Sequence, residues 1–410
     1  MSAGLYTYVD LFAGCGGLSE GFLASGHYAG LAHVEWERPM VQTLRRRLVE
    51  KWGCDEEEAR RRVLMFDIQK TEELLYGDWS EETRASYSRF NSIDAALGLK
   101  SLLGTQNVDL VVGGPPCQAY SIHGRATDKN SMNDDYRNFL FESFVKVVDA
   151  LRPRAFVFEN VKGMLSARPG GEPVVDRIYR AFAGIGYETK PSRSFSQAVF
   201  NAQDYGVPQS RERVILWGVK SGGGLGVDCF YDNLRSLADG RRYTVRDAIG
   251  HLPPIYPLER VTKVKGRNLS HCSTDGSDPF HRPRHCSARD IQVIREWIGR
   301  DMNRSSQKEA IEMYKKVTGK DTLYRKYRNL EWDMPSPTVV AHLQKDGFMF
   351  LHPDVEQARF ISVREAANLM TFPEDYAFVG NMGECYKMIG NAVPVNFAKA
   401  IAEAAYITIS

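Results

Sequence analysis

The chain has 410 residues, of which 43% are hydrophobic and 25% charged, with a net charge of +2, so it can bury a large core and fill two domains. No run of about 18 apolar residues occurs, and Met1 to Asp10 lacks a basic patch followed by an apolar stretch, which speaks against a membrane span and against secretion. Seven cysteines, an odd number without a CxxC pair, point to a reducing cytoplasm rather than a disulfide framework.

In chain order, apolar runs at Tyr6 to Leu11, Leu31 to Glu35, Val63 to Phe66, Val108 to Val112, Ala155 to Glu159 and Val214 to Val219 predict buried strands. Amphipathic stretches at Met40 to Lys51, Phe139 to Leu151 and Val174 to Ile185 predict helices between them. Alternating strands and helices imply right-handed crossovers and an α/β, doubly wound, mostly parallel sheet. The stretch Thr71 to Gln106 has no legible role. After Ser221 to Gly226, a glycine-rich joint, the texture loosens into basic, Pro- and His-containing sequence, and residues 222–361 are expected to form a second domain. Helices at Arg364 to Met370 and Asn396 to Tyr406 are expected to return to the first domain, which then comprises 1–221 and 362–410.

Ligands of such sheets bind beyond the carboxyl ends of the strands. The first strand runs into Phe12-Ala13-Gly14-Cys15-Gly16-Gly17, where glycines let the backbone approach a ligand. Ser19 stands where a dinucleotide fingerprint needs its third glycine, so that reading fails. The second strand ends at Glu35, a carboxylate suited to ribose hydroxyls, beside Trp36, a flat face for a purine. The third ends at Asp67-Ile68, and acids after both strands suit a nucleoside.

The fourth strand leads into Gly113-Gly114-Pro115-Pro116-Cys117-Gln118-Ala119-Tyr120-Ser121, where prolines hold a thiol in a defined direction. A lone cysteine is more often a small core residue, but its setting here favours chemistry. The next strand ends in Phe158-Glu159-Asn160-Val161. Further on, Gln209-Ser210-Arg211-Glu212-Arg213 alternates so that Gln209, Arg211 and Arg213 share one face. Thiol, carboxyl, amide and guanidinium groups are thereby expected in one pocket.

These segments together resemble the DNA (cytosine-5)-methyltransferases, particularly the bacterial modification enzymes, over most of the chain. Asp10 to Gly17 is similar to that family's S-adenosylmethionine loop, Gly114 to Gln118 to its Pro-Cys loop, Glu159-Asn160-Val161 to its Glu-Asn-Val element and Gln209 to Arg213 to its Gln-x-Arg-x-Arg element, in the family's order. Asp135 to Phe141, with Leu140, resembles the segment packed on the cofactor. Arg364-Glu365-Ala366 with Phe372-Pro373 resembles the support of the recognition domain, and Gly390-Asn391-Ala392-Val393-Pro394 the element that completes the cofactor site. Ala119-Tyr120, where Gly-Phe is commoner, and Cys15 depart from the pattern without altering a reacting group.

The resemblance implies a Rossmann-like S-adenosylmethionine-dependent methyltransferase with a smaller, irregular target recognition domain. Carbon 5 of cytosine is a poor nucleophile until a thiolate adds at carbon 6. Cys117 would add there, Glu159 would be protonated or share a proton with ring nitrogen 3, and Arg213 would hold the ring oxygen. Arg211 would order the pocket and assist the thiolate, Asn160 would buttress the loop, and the Pro116 carbonyl would meet the exocyclic amine. The base must be flipped out of the duplex, with Ser121 and Ile122 to Asn133 closing over it. No feature identifies the acceptor of the carbon 5 proton.

Between residues 230 and 330, 21 Lys and Arg stand against 12 Asp and Glu, an excess of nine that concentrates the positive charge where the recognition domain is expected to bind double-stranded DNA. Pro337-Thr338-Val339 resembles the family's threonine element. His271-Cys272, His281 and His285-Cys286 raise a zinc site, but the adjacent His-Cys pairs are poorly spaced for a tetrahedron and no metal is expected. A tRNA cytosine-5 methyltransferase is the same-fold rival, disfavoured by the missing Cys-Phe-Thr element. A non-catalytic DNA-binding relative is disfavoured by intact Cys117, Glu159, Arg211 and Arg213. The resemblance implies a bacterial cytoplasmic setting in a restriction-modification system; the sequence does not say whether a separately encoded restriction endonuclease accompanies the chain, and a monomer is expected.

Overall fold

The computed structural model describes residues 4–116, 140–264 and 267–410. Cys117, Gln118, Ser121, the candidate lid Ile122 to Asn133 and Asp135 to Phe139 lie outside the described residues. The central sheet has eight strands: β1 (Tyr6–Leu11), β2 (Tyr28–Glu35), β3 (Val63–Met65), β4 (Leu110–Gly113), β5 (Ala155–Val161), β6 (Tyr187–Thr189), β7 (Val199–Asn201) and β8 (Glu212–Lys220). Their order is β3-β2-β1-β4-β5-β8-β6, with β7 also paired to β8. The pairs from β3 through β5 are parallel and those made by β8 antiparallel. The fold is therefore the expected α/β, doubly wound, mostly parallel sheet.

All six expected strands are present with ends shifted by up to three residues; β6 and β7, three residues each, are too short for a periodic signal. Strands β4 and β5 read as continuous apolar runs because both faces are covered: Leu110, Val111, Val112 and Ala155 to Phe158 are fully buried. Helix Gly17–Ser25 packs on the C-terminal helix Val395–Ile409 so closely that a Cβ on Gly21 would lie 2.4 Å from Ala398 Cβ. The helix Val227–Ser236 after the glycine-rich joint puts Phe230, Tyr231 and Leu234 into the same core, with Phe230 stacked 4.6 Å from Trp217 of β8.

A second apolar cluster joins Val245, Ile249, Leu330, Val339 and Ile361 to Tyr376, Tyr386 and Ile389, and a third surrounds Trp297, Met313, Tyr327 and Phe360. Strands β9 (Ile255–Val264) and β10 (Arg267–Ser273) form a separate antiparallel pair. Arg359 and Glu365, each about 1% exposed, join by two 2.7 Å hydrogen bonds, and Glu365 also accepts from the Ser362 N–H at the start of the helix Val363–Leu369. Among the described residues, no helix is long and apolar enough to cross a membrane.

Candidate active site

Parallel register brings the loops after β1, β4 and β5 to one edge of the sheet: Leu11 pairs with Gly113, and Gly113 with Phe158. Strand β8 runs the opposite way and pairs Arg213 with Val161, so the residues that precede β8 arrive at the carboxyl end of β5. There Arg213 Nε stands 2.8 Å from Glu159 Oε1, both side chains 12% exposed. Gly114 permits this arrangement, since a Cβ there would lie 2.6 Å from Glu159 Oε2. Asn160 is buried; its Nδ2 donates to the Pro115 carbonyl at 3.4 Å and its Oδ1 accepts from the Val161 N–H. Glu159, Asn160 and Arg213 thus surround the Gly114-Pro115-Pro116 segment that leads to Cys117.

Arg211 is placed differently. Its guanidinium is fully buried and donates to the carbonyls of Val339, Gly390 and Ala392 at 2.8, 3.2 and 2.9 Å. Burial and the neighbouring Arg213 charge push it down from the ordinary arginine value, while Glu159 opposes that shift. Gln209 works alongside: Nε2 donates to the Leu369 carbonyl at 3.1 Å, and Oε1 accepts from the Val339 N–H at 2.9 Å. Thr338 donates to the Ser210 carbonyl at 2.7 Å. The segment before β8 therefore ties together three later parts of the chain, a role the alternation of Gln209, Arg211 and Arg213 predicts only as a shared face.

The loop after β1 holds Phe12 at φ 60°, a conformation that non-glycine residues avoid and that recurs at binding sites. A Cβ on Gly17 would meet the Val393 carbonyl at 2.5 Å, so Ala13, Gly14, Gly16 and Gly17 follow a path closed from behind by the C-terminal element. Glu35 accepts from the main-chain N–H groups of Gly14, Trp36 and Glu37 at 2.8–2.9 Å, and its buried carboxyl is pushed up to about 7 by desolvation against those three donors. Trp36 is 52% exposed. Asp67 Oδ1 accepts from the Gln69 N–H at 3.0 Å; Ile68 and Leu140 are buried, and Asn391 is exposed between the two carbonyls held by Arg211. Behind this loop Asp10 Oδ2 accepts from Ser19 Oγ at 2.5 Å, and Ser19 Oγ lies 2.9 Å from His33 Nδ1.

Of the zinc candidates, His271 faces Ser270 Oγ and the Gln357 carbonyl, His281 faces Ser362 Oγ and the Pro253 carbonyl, Cys286 is buried, and Cys272 and His285 are exposed. Among the described residues no group of three His, Cys, Asp or Glu gathers as a metal site.

A Glu–Arg pair with side chains 12% exposed, beside a Gly-Pro-Pro segment and next to a strand-to-helix loop with Phe12 at positive φ and an acid ending the following strand, occupies one edge of the sheet. Residues 82–406 match the model of the C-5 cytosine-specific DNA methylase family, and the chain belongs to that family. It is a DNA (cytosine-5)-methyltransferase of the type II kind. It is 32% identical to the type II methyltransferase M.Bpa9945I of Bacillus paralicheniformis, the match spanning 97% of each chain, and 28% identical to M.AgeI of Thalassovita gelatinovora across 98% of this chain and 99% of that one. Its fold is similar to a DNA modification methyltransferase encoded in an Escherichia coli prophage, with a TM-score of 0.59 at 22% identity and 98% and 99% of the two chains covered.

Proposed function

We propose that the chain transfers a methyl group from S-adenosylmethionine to carbon 5 of a flipped-out cytosine within a specific double-stranded DNA sequence, through a covalent Cys117 adduct. The observation that carries this reading is the Glu159–Arg213 pair beside the Gly114-Pro115-Pro116 segment, which immediately precedes Cys117 in the chain. Cys117 as thiolate adds to carbon 6, and the ring electrons displaced by that bond are drawn to nitrogen 3 by the proton Glu159 supplies. Arg213 holds Glu159 and offers its remaining N–H groups to the ring oxygen. The Pro116 carbonyl accepts from the exocyclic amine and Asn160 fixes the turn. S-adenosylmethionine supplies the electrophilic methyl group that carbon 5 takes up. Loss of the carbon 5 proton then restores the ring double bond and expels the thiolate. Arg211 acts by ordering the pocket walls through its three carbonyl contacts.

The residues present fit the cofactor. Phe12, Ala13, Gly14, Gly16 and Gly17 form the backbone cradle, the buried Glu35 carboxylate is set for ribose hydroxyls, and Trp36 presents an open ring face to the adenine. Asp67 Oδ2 and the Ile68 main chain are the contacts for the exocyclic amine, with Leu140 and Asn391 completing the wall. We assign catalysis to residues 1–221 and 362–410, with the helix Val227–Ser236 packed into their core, and DNA recognition to the remainder of 222–361, where Thr338 stands at the junction, with Ser121 in the loop that closes over the base. The setting that fits the relatives is a bacterial cytoplasm, with the chain acting as a monomer beside a separately encoded endonuclease. The test is incubation with labelled S-adenosylmethionine and assorted duplexes: wild type labels duplex DNA at a defined site and Cys117→Ser does not. Undiminished transfer by Cys117→Ser, or no transfer to any duplex, overturns the reading.

A further inference from the structure

The stretch from residue 71 to 106, silent in sequence, is built as a closed excursion beside β3. Helices Thr71–Tyr76, Glu81–Tyr87 and Leu99–Leu103 fold back so tightly that a Cβ on Gly98 would lie 2.3 Å from the Gly77 nitrogen. Strand β3 is the edge of the sheet: its inner side pairs with β2, Met65 opposite Glu35, leaving the outer N–H and carbonyl of Met65 without a strand. Asn91 takes that strand's place. Its Oδ1 accepts from the Met65 N–H at 2.8 Å and its Nδ2 donates to the Met65 carbonyl at 2.9 Å, while Nδ2 also reaches the Tyr87 carbonyl at 3.1 Å. The amide is 3% exposed and held in turn by Arg45 Nη2 at 3.3 Å.

The excursion also reaches both cofactor loops. Phe66, adjoining Asp67, lies in an aromatic cluster with Trp79 and Tyr87 at 5.1 and 4.9 Å. Partial burial and the nearby Asp67 carboxylate push the Tyr87 hydroxyl above its ordinary value. Phe90 lies under the guanidinium of Arg38, two residues beyond Trp36, at 5.2 Å. Arg45 Nη1 and Arg60 Nε clasp the Phe90 and Asn91 carbonyls at 2.7 and 2.8 Å, so the turn that carries Asn91 is fixed to the helix following Trp36 and to the one before β3.

We propose that this excursion is a brace for the nucleoside half of the cofactor site, and that Asn91 is a positioning residue that sets Asp67 through the edge of β3. The inference rests on the reading that Asp67 holds the adenine. Among the described residues the Asn91 side chain hydrogen-bonds to Met65, Tyr87 and Arg45, so its removal is expected to change cofactor affinity and leave the chemical step alone.

The test is a double-mutant cycle on the full chain. Affinity for S-adenosylhomocysteine is measured by calorimetry, and KM for S-adenosylmethionine and kcat on duplex DNA by methyl transfer. Asn91→Ala is expected to weaken binding and raise KM about tenfold, the scale of losing buried hydrogen bonds, with kcat unchanged. Added to Asp67→Ala it is expected to cost nothing further, because both act on one contact. Ile93→Ser, at a position 93% exposed on the same excursion, leaves both constants at wild-type values. Should Asn91→Ala fail to fold, Tyr87→Phe reads the same coupling with a smaller loss of affinity. Wild-type affinity in Asn91→Ala, a fall confined to kcat, or full additivity with Asp67→Ala overturns the brace. Wild-type affinity in Asp67→Ala alone overturns the cofactor reading beneath it.

Discussion

Replacing Glu159 by glutamine isolates the proton from the shape. The amide retains an oxygen for Arg213, which stands 2.8 Å from Glu159 Oε1 with both side chains 12% exposed, but it has no acidic proton to give and cannot take up the negative charge that the carboxyl acquires beside the guanidinium on giving it. Loss of a positioned acid costs about 10²–10⁴ in rate. Exchanging the carboxyl partner of the guanidinium for a neutral amide removes about 1 kcal/mol from the pair, which loosens Arg213 and adds a few-fold more. The expected fall in single-turnover methyl transfer, with enzyme in excess over DNA, is therefore about 10³-fold for Glu159→Gln. Urea unfolding and DNA binding measured alongside separate this from damage to the fold. Because Glu159 and Arg213 act as a unit, Arg213→Met added to Glu159→Gln is expected to lower the rate far less than the product of the single effects. A Glu159→Gln rate within about fivefold of wild type, or full multiplication of the two losses, refutes the role assigned to the pair.

Three further outcomes follow from the geometry. Arg359→Met leaves the buried Glu365 carboxylate without its guanidinium partner, beside only the Ser362 N–H and His352, and is expected to cost about 3–5 kcal/mol in urea unfolding, with Arg359→Met/Glu365→Leu recovering most of it. Burial pushes Glu365 up, but Arg359 overcomes this and holds it below the ordinary carboxylate value, so the pair's contribution is present near neutrality and lost as pH falls below about 4. Asp10 behaves oppositely: burial, against the Ser19 hydrogen bond and with Glu35 adding to it, pushes its carboxyl up to about 7, and its Oδ1 has no hydrogen-bond partner among the described residues. The folded state then binds the extra proton, a contribution that is full below about 4 and lost as pH rises through 7, so Asp10→Asn is expected to raise the urea midpoint relative to wild type at pH 8 and not at pH 4.

Much of the machinery was legible in the sequence because strand periodicity and loop chemistry are local. Apolar runs identified β1, β2, β3, β4, β5 and β8 within a few residues, and the glycines, prolines, acids and arginines at their ends marked the site in the family's order. Recognition of the family followed from that order. What the sequence could not supply was direction and partnership across long separations. That β8 runs antiparallel, and so delivers Arg213 to Glu159, depends on pairing between residues more than fifty apart. Arg211 and Arg213 are two residues apart on one face, yet packing sends one to the Val339, Gly390 and Ala392 carbonyls and the other to Glu159. Asn91 shows the same limit: no propensity or period distinguishes an amide that completes a sheet edge from one on a surface turn, because the distinction lies in the unpaired N–H and carbonyl of Met65, twenty-six residues earlier. Local patterning determined the sheet and the chemistry at its edge; the tertiary structure alone decided which groups face each other, since that is set by register and burial rather than by neighbours in the chain.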